Sequence, residues 1–361
     1  MSVPVIDLEA FFNKDSNPEA YKVECDKVAN SLHTYGLLVI KDPRVFQADN
    51  ARFLDMMERY FELSDGKRDA RPDLSYQVGV TPSHVERARN HCSLMGAYKD
   101  DNTPLSPCPP EFDAKWRFFW RIGPQPETTK YPTLNMDPVV PPEFPEWSET
   151  MNMWGNKMMD AINGLSEMMA VGFGLPDDAF TSRMKTGPHL LAPTGSDFNT
   201  YNQKGHILAG FHSDLNFLTI HGKSRYPGLY AWMRDGTKIP VSVPEGCLLV
   251  QAGKQIEYLT AGHCMAGFHE VVINDATLGV IQQRKEEGKS LWRVSSTLFS
   301  HIESDVVLQP FDKFLVPTVQ SDGSTLSVED LKSKFPPMDT GLFVSEELKE
   351  IKLNVPDSKV A

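Results

Sequence analysis

Ile207-Leu-Ala-Gly-Phe-His-Ser-Asp-Leu-Asn-Phe-Leu-Thr-Ile220 holds two short apolar runs with a His-x-Asp between them. Runs of this length, broken by turn residues, read as strands. On a strand, residues i and i+2 share a face, so His212 and Asp214 can reach one point while Ser213 turns away. The texture continues downstream at 229–233, 239–243, 247–250, 268–273 and 291–299. Such spacing predicts an all-β sandwich or barrel.

Upstream the pattern differs. Residues 18–35 read as an amphipathic helix with Val28 and Leu32 one turn apart, closed by Gly36. A buried strand is expected at 37–40 and a second amphipathic helix at 46–63. Residues 64–145 are polar, Pro-rich and irregular, apart from an aromatic strand at 116–122. A long Met-rich helix is expected over 145–173, its methionines serving as adaptable core. The last forty or so residues form a polar, partly helical tail, with Ser327 and Asp330 as a capping box. The fold class is thus mainly β with α: one domain, a helical scaffold packed on a β core.

The chain has 361 residues, 40% of them hydrophobic, enough for a substantial core. Lys and Arg number 36 against 48 Asp and Glu, a net charge of −12, which repels phosphate backbones. Nucleic acid is therefore not expected as a partner, and no protein partner can be inferred. No stretch is long and apolar enough for a membrane span. The start lacks a basic segment followed by an apolar one, so a cytoplasmic location is expected. Five cysteines, at 25, 92, 108, 247 and 264, are scattered and never spaced CxxC. A disulfide framework and a thiolate zinc site are both disfavoured.

Three histidines precede a carboxylate by two residues: His84–Glu86, His212–Asp214 and His301–Glu303. His84 lies in a polar stretch without strand pattern, and His301 has no later histidine to complete a site. His212 and Asp214 alone sit in β-type sequence with candidate third ligands downstream. His263 follows a turn, whereas His269 enters the strand 268–273 and is preferred. His221 is set aside, since its offset from His212 puts it on the opposite face of a continuous strand. Two imidazoles and a carboxylate with open positions form the facial triad of non-haem Fe(II) oxygenases, although zinc hydrolases share these donors. Arg293 and Ser295 again stand at i and i+2. A guanidinium and a hydroxyl on one buried face make a carboxylate clamp. The alternative is a salt bridge from Arg293 to a protein carboxylate.

With these residues in order, the chain resembles the isopenicillin N synthase-like branch of the 2-oxoglutarate/Fe(II) dioxygenases. Val3-Pro-Val-Ile-Asp-Leu8 looks like the opening strand, and Tyr35-Gly-Leu-Leu-Val-Ile40 like the following one. Phe211-His-Ser-Asp214, Pro227-Gly-Leu-Tyr230, the approach Pro244–Gly253 to His269, and Arg293-Val-Ser295 complete the set. The resemblance implies a distorted double-stranded β-helix, or jelly roll, with an N-terminal helical scaffold and one long supporting helix. It implies one oxygenase domain: scaffold and variable region over 1–185, jelly roll over 186–310, and a tail over 311–361 that can serve as a lid. It implies Fe(II) on His212, Asp214 and His269, and 2-oxoglutarate as cosubstrate held by Arg293 and Ser295. O2 is then the oxidant and an unactivated C–H bond of a small molecule the target. Where the family has N-x-Y-P this chain reads Leu190-Leu-Ala-Pro193, and Tyr201 is the candidate replacement for the lost tyrosine. Gly253-Lys254 stands for the family's Gly-Asp, and the charged residues 282–290 read as an exposed hairpin.

The resemblance also assigns residues 74–122 and the tail to the substrate side. Arg87, Arg89, Arg117 and Arg121 are candidates for an anionic substrate, with Arg117, Phe119 and Arg121 on one face of the strand. Two other readings stay open: an oxidase of the same fold that uses no 2-oxoglutarate, with Arg293 and Ser295 on the substrate's carboxylate, and a non-catalytic barrel.

Overall fold

The computed structural model describes residues 3–319, 323–351 and 353. In chain order the first strands are β1 (Val5–Asp7), β2 (Leu37–Lys41), β3 (Gly79–Thr81), β4 (Trp116–Ile122), β5 (His189–Leu191), β6 (Thr194–Asp197) and β7 (Ile207–Ser213). They continue as β8 (Leu218–His221), β9 (Leu229–Trp232), β10 (Lys238–Pro240), β11 (Cys247–Ala252), β12 (Phe268–Val272), β13 (Trp292–Ser295) and β14 (Thr297–Ser300). The main helices are α1 (Pro18–Tyr35), α2 (Gln47–Leu63), α3 (Trp147–Gly172), α4 (Asp275–Glu286) and α5 (Thr340–Glu350).

Among the described residues, one sheet has the order β1-β2-β11-β8-β14-β5-β4-β6-β13, with β3 beside β4, and another the order β10-β9-β12-β7. Together they make the jelly roll. In the larger sheet a single alternation recurs from strand to strand. Phe118, Trp120, Leu218, Ile220, Leu248, Val250, Trp292, Val294 and Leu298 all belong to one buried apolar cluster with the helices. Their neighbours Arg117, Thr219, His221, Gln251, Arg293 and Thr297 are buried and polar, and point the other way, into the roll. Period-2 patterning thus separates a packing face from a chemical face in each of these strands.

The helices cover the packing face. Buried Trp147, Met151, Trp154, Met158, Ile162 and Leu165 of α3 recur at three- and four-residue intervals, the stripe of a helix against a sheet. The α1 helix is capped by the Asn17 side chain, which accepts from Ala20 N, and it ends on Gly36 at φ +69. A left-handed residue at that position favours glycine. Where α3 ends against α1, a Cβ on Gly172 would lie 2.2 Å from the Cys25 carbonyl oxygen and 2.9 Å from Ala29 Cβ. Gly172→Ala is therefore expected to cost roughly 1–3 kcal/mol through overpacking. A urea titration should show the midpoint falling with an unchanged slope.

Three expectations are corrected. The charged segment 282–290 is not a hairpin: residues up to Glu286 belong to α4. Asn274 and Thr277 cap it reciprocally, and Gln282 and Gln283 reach Glu286 and Glu287 one turn on. Good helix formers with a strong cap outweigh the turn reading. Cys92 and Cys108 form a disulfide, so one cross-link exists where scattered cysteines suggested none. Residues 291–299 are two strands, β13 and β14, separated at Ser296. The Ser327–Asp330 capping box is present and opens a helix over Val328–Lys334. Residues 320–322 and 354–361 of the tail lie outside the described residues.

Candidate metal centre and substrate cleft

His212 of β7 lies directly opposite His269 of β12 in the antiparallel register, with ring centroids 4.2 Å apart. Asp214 follows one residue beyond the end of β7. His212 Nε2 is 3.7 Å from Asp214 Oδ1, and His269 Nε2 is 4.0 Å from Asp214 Oδ2. The three donor atoms lie within 4.8 Å of one another. The spacings to Asp214 suit donors that share one ion at roughly 2.0–2.2 Å each.

Local chemistry prepares these donors. The Gly210 carbonyl can only accept, so His212 Nδ1 carries the proton across their 2.6 Å contact and leaves Nε2 a lone pair. Thr219 Oγ1 donates to Asp214 Oδ2 at 2.6 Å and holds the carboxylate's orientation. Burial lowers both histidines, His269 to about 4, so their imidazoles stay neutral. Burial pushes Asp214 up, but His269, His212 and the Thr219 hydroxyl outweigh it and hold the carboxyl below its ordinary value. Two neutral imidazoles and a carboxylate are the donor set of a divalent transition metal.

Across the same cavity, of about 490 Å³, stand Arg293, Ser295 and Thr297. Arg293 is 5% exposed, makes no hydrogen bond or ion pair with a described residue, and its Nε is buried without a partner. Burial lowers its pKa to about 10, which still leaves it charged at neutral pH. The salt-bridge alternative raised by the sequence finds no carboxylate among the described residues. Ser295 Oγ and Thr297 Oγ1 are 3.0 Å apart, and Thr297 Oγ1 is 3.0 Å from His221 Nδ1.

His221 departs from the parity argument. The chain turns between β7 and β8, so strand counting from His212 does not carry over. The ring lines this cavity, with Nε2 donating to Gln251 Oε1 at 3.0 Å. Lys115 is a residue that sequence reasoning missed. It is buried between Glu86, at 3.2 Å, and Asp113, and lines the cavity. A lysine within a polar loop carries no sequence signal for this. Glu86 is likewise buried, although the His84–Glu86 pair reads as part of a polar stretch.

A larger cleft of about 930 Å³ adjoins the first and shares Lys115, Arg117, His212, Asp214 and Phe299 with it. Arg87, Arg89, Arg117 and Phe119 line this cleft as expected. Arg117 pairs with Glu86 at 3.0 Å, and Glu347 of α5 receives Arg89 at 2.6 Å and Lys254 at 2.7 Å. Two candidates fall outside both cavities. Arg121 is tied to Asn135 Oδ1, Pro124 O and Thr186 O and lines neither cavity. Tyr201 sits in the turn after β6, and its hydroxyl meets His84 Nε2 at 2.8 Å. It does not replace the family's cosubstrate tyrosine.

No family model matches the chain. Validamycin A dioxygenase of Streptomyces hygroscopicus subsp. limoneus is 25% identical over 284 residues, 76% of this chain and 73% of that one. Among solved structures, a 2OG-Fe(II) oxygenase family protein of Caulobacter crescentus superposes with a TM-score of 0.71 at 20% identity, covering 97% of this chain and 99% of its own. A full-length Neurospora crassa protein in complex with alpha-KG gives 0.69 at 15% identity over 96% and 95%. JOX2 in complex with 2OG, Fe and JA gives 0.64 at 17% identity over 99% and 87%. The chain thus shares its fold with solved 2-oxoglutarate/Fe(II) oxygenases and is similar in sequence to a dioxygenase.

Proposed function

We propose that the chain, as a single oxygenase domain, oxidises an unactivated C–H bond of a small molecule while converting 2-oxoglutarate and O2 to succinate and CO2. Hydroxylation is the default outcome; desaturation and ring closure use the same machinery. The order of motifs from Val3 to Ser295 supports the isopenicillin N synthase-like branch. His212, Asp214 and His269 would hold Fe(II), and Arg293 with Ser295 the distal carboxylate of 2-oxoglutarate. The observation that carries this reading is the buried Arg293, without a partner among the described residues, facing the triad across one cavity. A guanidinium desolvated without a counter-ion is costly, and a bidentate carboxylate relieves that cost.

Fe(II) in such a site supplies O2 activation coupled to oxidative decarboxylation of the keto acid. The protein's own residues position and exclude. Gly210 fixes the tautomer of His212, Thr219 orients Asp214, and Phe299 stands as an apolar wall in both cavities. With the Thr297 proton given to His221 Nδ1, Ser295 Oγ is the donor to Thr297 Oγ1, and an arriving carboxylate would take that proton over from Thr297.

Anaerobic calorimetry of 2-oxoglutarate on the Fe(II)-loaded protein, followed by a succinate assay under O2, tests the reading. Saturable binding and succinate release are expected. Absence of both would favour the oxidase that takes O2 without a keto acid.

A further inference from the structure

The larger cleft has a lopsided inventory of uncommitted polar groups. Its carboxylates are all engaged: Glu86 by Lys115 and Arg117, Asp113 by Lys115 and Gly210 N, and Glu347 by Arg89 and Lys254. Asp214 belongs to the triad. Of the five cations that line the cleft, four are therefore paired.

The fifth is Arg87. It is half-buried, sits on a β-bridge to Phe112, and has no ion pair or hydrogen bond from its guanidinium among the described residues. A second free donor comes from His301. Ile302 N donates to Gln255 Oε1 at 2.9 Å, so the Gln255 amide nitrogen is the atom facing His301 Nδ1 at 3.1 Å. His301 Nδ1 must accept, and the ring proton is placed on Nε2. Nε2 has no partner among the described residues, and the ring lines the cleft. The His301 backbone is pinned by its N–H to His189 Nδ1 at 3.0 Å. Burial pushes the His301 pKa down to about 3, so this N–H is held as a neutral donor.

Around these donors the lining is apolar: Leu134, Leu190, Leu215, Phe299, Val344 and Leu348 among others. Gln77 gives its amide nitrogen to Ser75 O and keeps its oxygen as an acceptor. Asn216 Oδ1 meets the Thr219 hydroxyl while its buried Nδ2 has no partner among the described residues, and the Ser213 hydroxyl can serve either way.

We propose that the cleft takes an apolar-bodied carboxylic acid, its anionic end received by Arg87 and an oxygen acceptor by the Nε2–H of His301. This deepens the function proposed above by naming the substrate class, and it rests on that reading only in treating the cleft as a substrate site. Charge-assisted hydrogen bonds favour the anion over a neutral isostere by about 10- to 150-fold, and a neutral bond contributes about 2- to 10-fold.

The test is calorimetry on the Fe(II)- and 2-oxoglutarate-loaded protein under anaerobic conditions, with two matched series. One comprises indole-3-acetate, indole-3-acetamide and tryptamine; the other 4-phenylbutyrate, its amide and 4-phenylbutylamine. In at least one series the acid should bind at least about tenfold tighter than the amide, with the amine weakest. Arg87→Gln should erase the acid's advantage over its amide. His301→Phe should weaken acid and amide alike by about 2- to 10-fold. Near-UV circular dichroism and melting midpoints verify that both variants are folded. The inference is overturned if neither acid is preferred, if no member of either series binds, or if Arg87→Gln keeps the preference. Its failure is separable from that of the oxygenase reading, since wild-type 2-oxoglutarate binding is measured first and on its own.

Discussion

Arg293→Ala is expected to weaken 2-oxoglutarate binding by roughly 2–5 kcal/mol, the cost of truncating one partner of a buried charge pair. That corresponds to about 30-fold to about 5,000-fold in Kd. Arg293→Lys keeps the charge but not the planar fork, and should recover only part of the loss. The same residue makes an opposite prediction for the ligand-free protein. A buried guanidinium without a counter-ion opposes folding, so Arg293→Met should melt no lower than wild type, and preferably higher. Added 2-oxoglutarate should raise the melting temperature of the wild type and leave that of the variant unmoved. Calorimetry and thermal unfolding on the same preparations check both halves. Unchanged affinity in Arg293→Ala would move the cosubstrate elsewhere in the cavity.

Asp214→Ala has the second large effect. It removes the one anionic donor between two neutral imidazoles, and elemental analysis after desalting should find iron falling from stoichiometric to near background. Turnover should vanish with it. Thr219→Val offers a graded counterpart, because it deletes only the hydroxyl that holds Asp214 Oδ2. Loss of such an outer partner typically costs about 10- to 100-fold in metal affinity. Full iron loading of Asp214→Ala would dissolve the triad.

What could be read from the sequence was what local periodicity controls. The extents of α1, α2 and α3, the strand β4, and the shared faces of His212 with Asp214 and of Arg293 with Ser295 follow from spacings of two, three and four residues. What could not be read depends on where the chain turns or on what distant segments bring. His221 joins the cavity because the turn after Asp214 resets strand parity. Lys115 and Glu86 come together as a buried ion pair from a region with no strand pattern, where a charge ordinarily signals solvent. Tyr201 fails for the converse reason: proximity in sequence to a lost tyrosine is no substitute for a strand position. The capped helix α4 escapes notice because its charged residues, read without the Asn274 cap, look like a loop.

Strand β7, which carries His212, is the outermost strand of its sheet. Its open side is not covered by another strand among the described residues. Phe211 N donates to Ser106 Oγ at 2.7 Å and Gly210 N to Asp113 Oδ1 at 2.9 Å, while buried Glu270 on β12 receives Ser106 N and Oγ. The segment that gives Asp113 to the wall of the larger cleft is therefore also the shield of an otherwise sticky sheet edge. Re-engineering substrate preference by swapping the 105–113 loop carries a colloidal hazard. A graft without acceptors for those two amides would leave β7 free to zip onto a second chain. Point changes on the cleft wall are the safer route to new specificity.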